Sequence, residues 1–312
     1  MSPGWVSTER RLRRLRARHE RCAQSGHNPV EGAPVSVSQT FALRADPRDL
    51  LRFGEQTAVA AFQFNSLLQG VVRGYYAARH WVFTAAYDGD EVVAALVVSR
   101  LDGYGLLHAV DDAAAWELIT HVTAKQRLTA VAGEADAVAA VTRHPAIASR
   151  IYRTEHELFM VLRAFEHQIE PDGNYRLAEP KDIPALRAYA AGYSAEHNVP
   201  FHCDWHYEVA RGQVLVADTL PPDPPGRIAS CLMRGGTTDQ FALCSGVYTF
   251  PRFRGKGYAP RLVANFALEA ALGGLDTCLY VGVNNRAALS AYRRVGFFPV
   301  GEYLIHFLRP TG

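Results

Sequence analysis

The stretch from residue 246 to residue 297 constrains the fold more than any other part of the chain. A run of β-forming residues at 247–249 is followed by Pro251, which has no backbone N–H and therefore ends a strand. Residues 252–259 read RFRGKGYA and place two glycines one residue apart. Apolar residues then recur at the spacing of a helix face over 258–272. The sequence therefore predicts a strand, a glycine loop and a helix in direct succession.

Such a succession forms a binding site for an anion. Glycine allows a tight turn and removes the side chain that would keep a ligand away from the backbone. The first N–H groups of a helix have no partner inside the helix, and the helix dipole adds favourable potential for negative charge. Arg252, Arg254 and Lys256 add positive charge at the same place. We expect a phosphate or a pyrophosphate to bind there.

The pattern differs from two common phosphate-binding loops. Tyr258 follows the GKG triplet, where a Walker loop has the Ser or Thr that binds magnesium. Arg261 occupies the place of the third glycine of a dinucleotide-binding loop. Downstream, a buried strand is predicted at 278–283, and residues 285–297 follow with the pattern N-x-x-A-x-x-x-Y-x-x-x-G-F.

These two segments together resemble the GNAT superfamily of N-acyltransferases, whose coenzyme A loop has the form R-x-x-G-x-G-Y-A after a strand. The resemblance implies acetyl-CoA as co-substrate and no metal. In the family, the strand before the loop splays from its neighbour and pairs with the pantetheine arm. The implied cofactor-binding residues are Val247, Tyr248, Thr249, Arg254, Gly255, Lys256, Gly257, Tyr258, Ala259 and Asn285.

The resemblance also implies a fold class. We expect an α/β (α+β) chain with two tandem GNAT-like domains, each a mixed, mostly antiparallel sheet flanked by helices. Residues 174–312 contain the complete family order of elements and form the predicted acetyl-CoA-binding catalytic domain. Residues 36–170 repeat much of that order, but HAVDDAA stands where the loop belongs, and its Asp111 and Asp112 would repel a pyrophosphate. This half is predicted to be a degenerate copy without a coenzyme A loop.

Several element predictions can be compared directly with the structure. Asp46 is predicted to cap a helix that begins at Pro47 and runs to about residue 76. The last strand of the first half is predicted at 158–165. The arginine-rich residues 1–35 are predicted to form a disordered basic tail.

The catalytic groups are less clearly marked than the loop. The resemblance implies that Tyr292 donates a proton to the departing sulfur, although its position also fits a core aromatic residue. A backbone N–H near Val247 is the expected oxyanion donor. Many relatives carry a glutamate on the fourth strand, but residues 240–245 contain no acid. The general base therefore remains open between water and five side chains: Asp204, His206, Glu208, Glu302 and His306.

Composition limits the functional classes. The formal charge of +2 gives no indication of nucleic acid or membrane as a partner. The five cysteines include no C-x-x-C pair, which argues against a zinc site or a disulfide framework and fits a reducing cytoplasm. No apolar run approaches the roughly 20 residues that span a bilayer, and because the N-terminal residues contain no apolar h-region, we expect no secretory leader. A monomer or a homodimer is expected.

The sequence thus predicts an acetyl-CoA-dependent N-acetyltransferase that acts directly on a primary amine of a small metabolite. A rim of polar and aromatic residues would suit an anionic, phosphonate-type or other secondary-metabolite amine; its members are His202, Trp205, His206 and Arg211. Two alternatives stay open at this point. One is a protein N-terminal or lysine acetyltransferase, and the other is a non-catalytic module that senses acyl-CoA.

Overall fold

The computed structural model describes residues 39–42, 46–74, 76–197, 201, 203–223 and 226–310. The predicted tail and His202 lie outside this part of the chain. The described strands are β1 Gln39–Ala42, β2 Trp81–Asp88, β3 Glu91–Ser99, β4 Tyr104–Ala109, β5 Ala130–Glu134, β6 Ile151–Leu162, β7 Arg176–Leu177, β8 Val214–Asp218, β9 Ile228–Thr237, β10 Phe241–Thr249, β11 Asp276–Gly282 and β12 Phe298–Leu308. The described α-helices are α1 Pro47–Gly54, α2 Ala58–Val72, α3 Asp112–Thr123, α4 Ala135–Val141, α5 Pro145–Ala148, α6 Ile183–His197, α7 Trp205–Ala210, α8 Tyr258–Leu272 and α9 Arg286–Val295.

The described strands form one 12-stranded sheet in the order β1-β2-β3-β4-β5-β12-β6-β11-β10-β9-β8-β7. Neighbouring strands are antiparallel except for two parallel pairs, β4 with β5 and β10 with β11. Each half of the chain therefore contributes one parallel pair to a mostly antiparallel sheet. The predicted fold class, an α/β (α+β) chain with a mixed, mostly antiparallel sheet flanked by helices in each half, is confirmed.

The two halves exchange their last strands. Strand β6, from the N-terminal half, pairs with β11 of the C-terminal half, with Phe159 opposite Tyr280. Strand β12, from the C-terminal half, pairs with β5 of the N-terminal half, with Ile305 opposite Ala132. The two exchanged strands also pair with each other at the centre of the sheet. Neither half thus has a complete sheet of its own.

Helices cover the two faces of this sheet, and the two faces have different roles at the site. The first face carries α1 and α2 over the N-terminal half and α6 and α7 over the C-terminal half. The second face carries α3 and α4 over the N-terminal half and α8 and α9 over the C-terminal half. None of the helices in the described ranges is long and apolar enough to cross a membrane.

The central core on the first face combines side chains from both halves. Phe159 of β6 is fully buried, with its ring centroid 5.9 Å from Phe62 of α2 and 4.9 Å from Tyr280 of β11. Phe241 of β10 and Tyr303 of β12 belong to the same cluster. The exchange of strands therefore places one hydrophobic core across the boundary between the halves.

The single helix predicted from Asp46 is wrong in its length. The cap is present, since the Asp46 carboxylate accepts a hydrogen bond from the Arg48 N–H at 2.8 Å. However, α1 ends at Gly54, where a Cβ atom would lie 2.3 Å from the Asn65 side-chain oxygen. A second helix then begins after Thr57, whose hydroxyl caps it. Close packing of the two helices, which a local pattern does not reveal, sets this break.

The last strand of the N-terminal half also differs from its prediction. It begins at Ile151 and ends at Leu162, whereas the sequence predicted residues 158–165. Its first part alternates polar and charged residues, including Arg153, Glu155 and Glu157. These residues gave no apolar signal, although they occupy the centre of the sheet between two strands of the other half. Strand β4 was not predicted at all.

The strand exchange makes the two halves interdependent for folding. We expect residues 1–170 and 174–312, expressed separately, to lack a cooperative thermal transition, because β5 and β11 would each become an unpaired edge and the shared core would be open. Co-expression should yield a stable complex that purifies as one species. A cooperative unfolding transition in isolated 174–312, measured by circular dichroism, would contradict this interdependence.

The shared core should also dominate stability. Replacing Phe159 by Ala is expected to reduce the free energy of unfolding by about 3–5 kcal/mol, the usual cost of truncating a buried aromatic side chain. Tyr152→Ala on the same strand, where the side chain is 57% exposed, should change it by less than about 0.5 kcal/mol. Urea unfolding of both variants checks this difference. Equal losses of unfolding free energy in the two variants would show that the shared core does not dominate stability.

Candidate active site

The predicted glycine loop lies between β10 and α8. After β10 ends at Thr249, a short 3-10 turn at Pro251–Phe253 leads into the loop. Gly255 has φ 76° and Gly257 has φ 80°, values that other L-residues adopt only with strain. A Cβ atom on Gly255 would meet nothing within 4 Å. The loop thus leaves open space directly above the backbone.

The N–H groups of this loop are available to a ligand. No backbone N–H from residue 255 to residue 259 has a hydrogen-bond partner in the described part of the chain. Gly257 occupies the cap position of α8 and provides no side-chain acceptor. Because α8 is long and its first N–H groups converge here, the helix dipole favours an anion at this point.

The corresponding helix of the N-terminal half has a different start. The carboxylate of Asp111 caps α3 and accepts a hydrogen bond from the Ala114 N–H at 2.7 Å. A negative charge of the protein itself therefore stands at this helix N-terminus. A pyrophosphate placed there would compete with the cap and be repelled by it.

Two of the three predicted cations are held by carboxylates that the sequence did not single out. The Arg254 guanidinium donates to both Glu196 oxygens, at 2.6 and 2.7 Å. The Lys256 ammonium lies 2.5 Å from Asp223 and lowers the pKa of that carboxyl. The third, Arg252, stacks on the Phe253 ring at 4.6 Å. No local signal marked either acid, since each pair joins residues far apart in sequence.

Tyr258 fixes the loop from below. Its side chain is buried, and its hydroxyl accepts from the Leu220 N–H at 2.9 Å and donates to Asp223 at 3.2 Å. The side chain thus faces the protein, so only its backbone N–H, with that of Ala259, remains for a ligand. Asp223 connects Tyr258 to Lys256 and holds the neighbouring segment against the start of α8.

Strands β10 and β11 separate beside this loop. Their parallel ladder extends only from Phe241, opposite Asp276, to Leu243, opposite Cys278. Residues 244–249 continue to pair with β9 on the other side. The predicted splay is therefore present, and we call the space between the separated strands the gap. Val247, Tyr248 and Thr249 lie along its border.

An irregularity in β10 shapes the border of the gap. Ser245 faces Met233 and Tyr248 faces Cys231, so that Gly246 and Val247 form a bulge in the ladder with β9. The Gly246 carbonyl accepts a hydrogen bond from the Tyr189 hydroxyl of α6 at 2.5 Å. This contact fixes the orientation of the peptide groups next to Val247, the residue predicted to provide an oxyanion donor.

Asn285 and Tyr292 belong to the segment that follows β11, the strand on the other side of the gap. Asn285 caps α9, because its side-chain oxygen accepts from the Ala288 N–H at 3.1 Å. Tyr292 is buried in the second-face core. Burial raises the pKa of Tyr292 far above its ordinary value, and Cys244 and Tyr193 add to this effect. The hydroxyl thus stays protonated at neutral pH and can donate.

The predicted base candidates are scattered over the molecule. Asp204 caps α7 by accepting from the Tyr207 N–H at 3.2 Å, and His206 is exposed on that helix next to the half-buried Glu208. His306 is buried in the N-terminal half, where each ring nitrogen lies 2.9 Å from a threonine hydroxyl, on Thr142 and Thr154.

The fifth candidate, Glu302, lies on β12 and contacts His156 of β6 at 2.5 Å. Both side chains are largely exposed. Its neighbour Tyr303 belongs to the first-face core, and successive residues of a strand point to opposite faces. Glu302 and its histidine therefore stand on the second face.

One carboxylate beside the gap was missed by the sequence analysis. Glu157 lies on β6 directly opposite Gly282, the last residue of β11. Burial, together with the nearby charge of Glu155, raises the pKa of Glu157 to about 7. The strand exchange brings it there from the other half of the chain. A search confined to residues 174–312 could not find it.

Other reactive groups are structural. Four cysteines in the described ranges are free thiols, and burial raises the pKa of Cys231, Cys244 and Cys278 well above the ordinary value. Among the described residues, no group of three or more His, Cys, Asp or Glu side chains could hold a metal ion. A cavity of about 550 Å³, lined in part by Arg79 and Arg100, lies in the N-terminal half away from the loop.

Comparison with known proteins gives a family match over part of the chain and several structures of similar fold. Residues 229–304 match a family model described as FR47-like protein. The sequence has no significant match among curated proteins. A Drosophila protein of known structure has a TM-score of 0.58 at 12% identity, covering 86% of this chain and 98% of its own.

Two further structures agree in fold and have informative descriptions. A GCN5-related N-acetyltransferase from Sphaerobacter thermophilus has a TM-score of 0.54 at 17% identity and covers 86% of this chain and 94% of its own. A tandem GNAT protein from the clavulanic acid biosynthesis pathway has a TM-score of 0.50 at 13% identity, covering 88% of this chain and 100% of its own. These likenesses concern the fold.

The free helix N-terminus generates a direct test. Gly257→Asp would place a carboxylate where Asp111 stands in the other half, and it should weaken coenzyme A binding at least tenfold, or about 1.4 kcal/mol. Gly274→Asp is the control, because Gly274 follows the same helix, has a similar φ of 77°, and a Cβ atom there would meet nothing within 4 Å. Isothermal titration calorimetry with coenzyme A measures both. Equal affinity in the two variants would exclude the loop as the binding site.

Proposed function

We propose that this chain, a GNAT-superfamily protein in its fold, is an acetyl-CoA-dependent N-acetyltransferase that acts on a primary amine of a small metabolite. One observation carries the proposal. The free N–H groups of residues 255–259 follow the strand that separates from β11, and the buried Tyr292 belongs to the same core cluster as Cys244 of that strand. The loop N–H groups would bind a pyrophosphate, the edge of β10 would bind an extended arm, and Tyr292 would serve the thiol leaving group.

The residues of the gap fit coenzyme A in three ways. Backbone N–H groups from Gly255 to Ala259 provide donors for a diphosphate, and the absence of side chains on the two glycines leaves room for it. The edge of β10 at Val247, beyond the end of the ladder with β11, would provide backbone groups for an amide-containing arm, whereas the Thr249 carbonyl already accepts from Arg254. When bound, acetyl-CoA supplies the acyl group as a thioester.

The proposed chemistry needs a donor at each developing charge. A backbone N–H beside Val247 would stabilise the carbonyl oxygen as negative charge builds on it. The Tyr292 hydroxyl, kept neutral by burial, would give a proton to the leaving sulfur. Cys244 has a different role, because its raised pKa keeps the thiol protonated and unreactive.

We further propose that only the C-terminal half binds the cofactor. Asp111 caps the helix that corresponds to α8, which leaves no free anion site there. The N-terminal half instead contributes α2 and β6 to the first face of the sheet, where it would form a wall of the acceptor cleft. The free thiols support a reducing compartment such as the cytoplasm.

Two other functions make different predictions. A protein N-terminal or lysine acetyltransferase would acetylate peptides more efficiently than small amines. A sensor of acyl-CoA would bind the cofactor without releasing thiol. Titration calorimetry with acetyl-CoA, followed by a thiol-release assay with small amines and a lysine peptide, separates the three. Absence of heat with acetyl-CoA would overturn the proposed function together with both alternatives.

Tyr292→Phe tests the proposed proton donor. The variant keeps the ring that packs 5.9 Å from Phe297, so the core should remain intact. We expect kcat to fall about 10- to 100-fold, at the lower end of what a general acid contributes, while the Kd for acetyl-CoA stays within twofold. Steady-state kinetics and calorimetry check both. Full activity in this variant would show that Tyr292 serves only as a core aromatic residue.

A further inference from the structure

Glu157 occupies a distinctive place in the sheet. It lies on β6 with Gly282 of β11 opposite on one side and Tyr303 of β12 opposite on the other. Directly opposed residues in a sheet share a face, and Tyr303 belongs to the first-face core. The Glu157 side chain therefore stands on the first face, which also carries α2 of one half and α6 of the other.

This carboxylate has no partner to neutralise it. Among the described residues, Glu157 makes no hydrogen bond and no ion pair, although it is only partly exposed. Its neighbour on the same face, Glu155, is engaged by Arg153. A half-buried carboxylate without a partner is costly, and such groups frequently mark functional sites.

The space in front of Glu157 is open toward the gap. A Cβ atom on Gly282 would meet nothing within 4 Å. Strand β11 borders the gap from Leu279 onward, because its ladder with β10 ends at Cys278. Adjacent strands lie about 4.8 Å apart, so a glutamate on β6 can reach across a glycine on β11. Nothing on β11 at this level separates Glu157 from the gap.

The groups that face Glu157 from the surrounding elements are almost all tyrosines. They are Tyr104 of β4, Tyr193 of α6, Tyr280 of β11 and Tyr303 of β12, and the charge of Glu157 contributes to the raised pKa of each. Burial is the larger cause in every case, and it raises the pKa of Tyr104 to about 12.

These tyrosines are therefore neutral at pH 7, and the charges that face Glu157 come from Glu155 and its partner Arg153 on β6 itself. A carboxyl group in this setting has a pKa near neutrality, raised to about 7 by burial and by Glu155. It is ionised above that pH and protonated below it, which is the range in which a general base is most effective.

We propose that Glu157 is the general base of the C-terminal site, supplied by the exchanged strand of the N-terminal half, and that the cleft in front of it takes a cationic primary amine. This proposal rests on the proposed function, because the base acts on the acceptor of the same acyl transfer. Strand β10 has no acid of its own, and Glu157 would take that role from β6, which lies on the other side of β11.

The proton and electron balance is complete. A carboxylate oxygen of Glu157 takes one proton from the ammonium group, which leaves a lone pair on nitrogen. That pair forms the new bond to the thioester carbonyl carbon, and the carbon–sulfur bond breaks with its electrons going to sulfur. Sulfur receives a proton from Tyr292, which regains one from the nitrogen as the amide forms. Glu157 then releases its proton to solvent.

The charge of the cleft argues for the class of acceptor. Because Glu155 is paired with Arg153, Glu157 is the carboxylate left to attract an ammonium group, and the half-buried Tyr193 beside it adds a hydrogen-bond acceptor and an aromatic face. The same surroundings repel a phosphonate or carboxylate. The anionic amine suggested by the predicted rim is therefore the less suitable guest, and that rim is incomplete, because Trp205 is buried while His206 and Arg211 are exposed.

The test compares Glu157→Gln with Glu302→Gln, which removes a carboxylate of β12 that stands on the other face. Phenethylamine and spermidine are the cationic probes, and 2-aminoethylphosphonate is the anionic probe. For wild type we expect kcat/KM at least tenfold higher with a cationic probe, and a rise with pH that levels off above about 7, the pKa of Glu157.

Glu157→Gln should lower kcat about 10²- to 10³-fold, as expected for loss of a general base. Its rate should then rise with pH without levelling off, because deprotonation of the amine in solution becomes limiting. Glu302→Gln should keep the wild-type rate and pH profile. Both variants should bind acetyl-CoA with the wild-type Kd, which separates failure of this proposal from failure of the cofactor site.

A second measurement needs no turnover. In the free protein labelled with ¹³C at glutamate carboxyl carbons, one NMR signal that is absent from Glu157→Gln should titrate near pH 7. Spermidine should lower the pKa of that signal, because a bound cation stabilises the carboxylate. This pKa shift measures binding of a cation beside Glu157 without turnover. 2-Aminoethylphosphonate should not produce the shift.

Four results would overturn the proposal. They are a Glu157→Gln rate within threefold of wild type, a raised KM with the levelling near pH 7 retained, a preference for 2-aminoethylphosphonate, and acetyl-CoA binding without turnover of either cationic probe. A Glu157 carboxyl that titrates below pH 5 would do the same. Loss of acetyl-CoA binding in wild type would instead remove the proposed function on which this inference depends.

Discussion

The pairing of β6 with β11 is the interaction on which the rest of the structure depends. Without it, β11 would be an edge strand beside the gap, and one side of the cofactor site would be open to solvent and to other chains. The pairing also brings Phe159 into contact with Tyr280 and so closes the central core. Stability and site geometry therefore have the same origin, an exchange of strands between the two halves.

The two halves illustrate alternative uses of a helix N-terminus. In α3, the carboxylate of Asp111 satisfies the first turn, and such a cap contributes about 1 kcal/mol of stability. In α8, Gly257 leaves these groups without an acceptor, which forgoes that stabilisation and keeps the N–H groups free for a ligand. A local departure from the most stable arrangement is what a binding site requires. The two helix N-termini thus differ in whether a carboxylate of the chain itself already accepts from their first turn.

Sequence reasoning succeeded where the structure is decided locally. The helix at 258–272, the glycine conformations and the Asn285 cap follow from residues close to one another in the chain. It failed where distant contacts decide. The break between α1 and α2 depends on Asn65 packing beside Gly54, and β6 contains charged residues that resemble an exposed segment until its partners from the other half are known. The strand exchange itself has no local signature in the sequence. Pairing of β11 with β6 or with β12 would bury the same alternating side chains of β11.

Contacts between distant residues also explain why the sequence analysis did not single out Glu157, the general base proposed above. A search along β10 assumes that a catalytic group comes from the strands that bind the cofactor, but a gap between two strands is also accessible from the strand behind one of them. Gly282 makes this possible on β11, since any larger residue at that position would stand between Glu157 and the gap. Burial and the nearby charge of Glu155 then raise the pKa of the carboxyl to about 7. In the proposed reaction, the N-terminal half would take part without an anion site of its own, because its last strand, β6, would line the site of the acceptor amine.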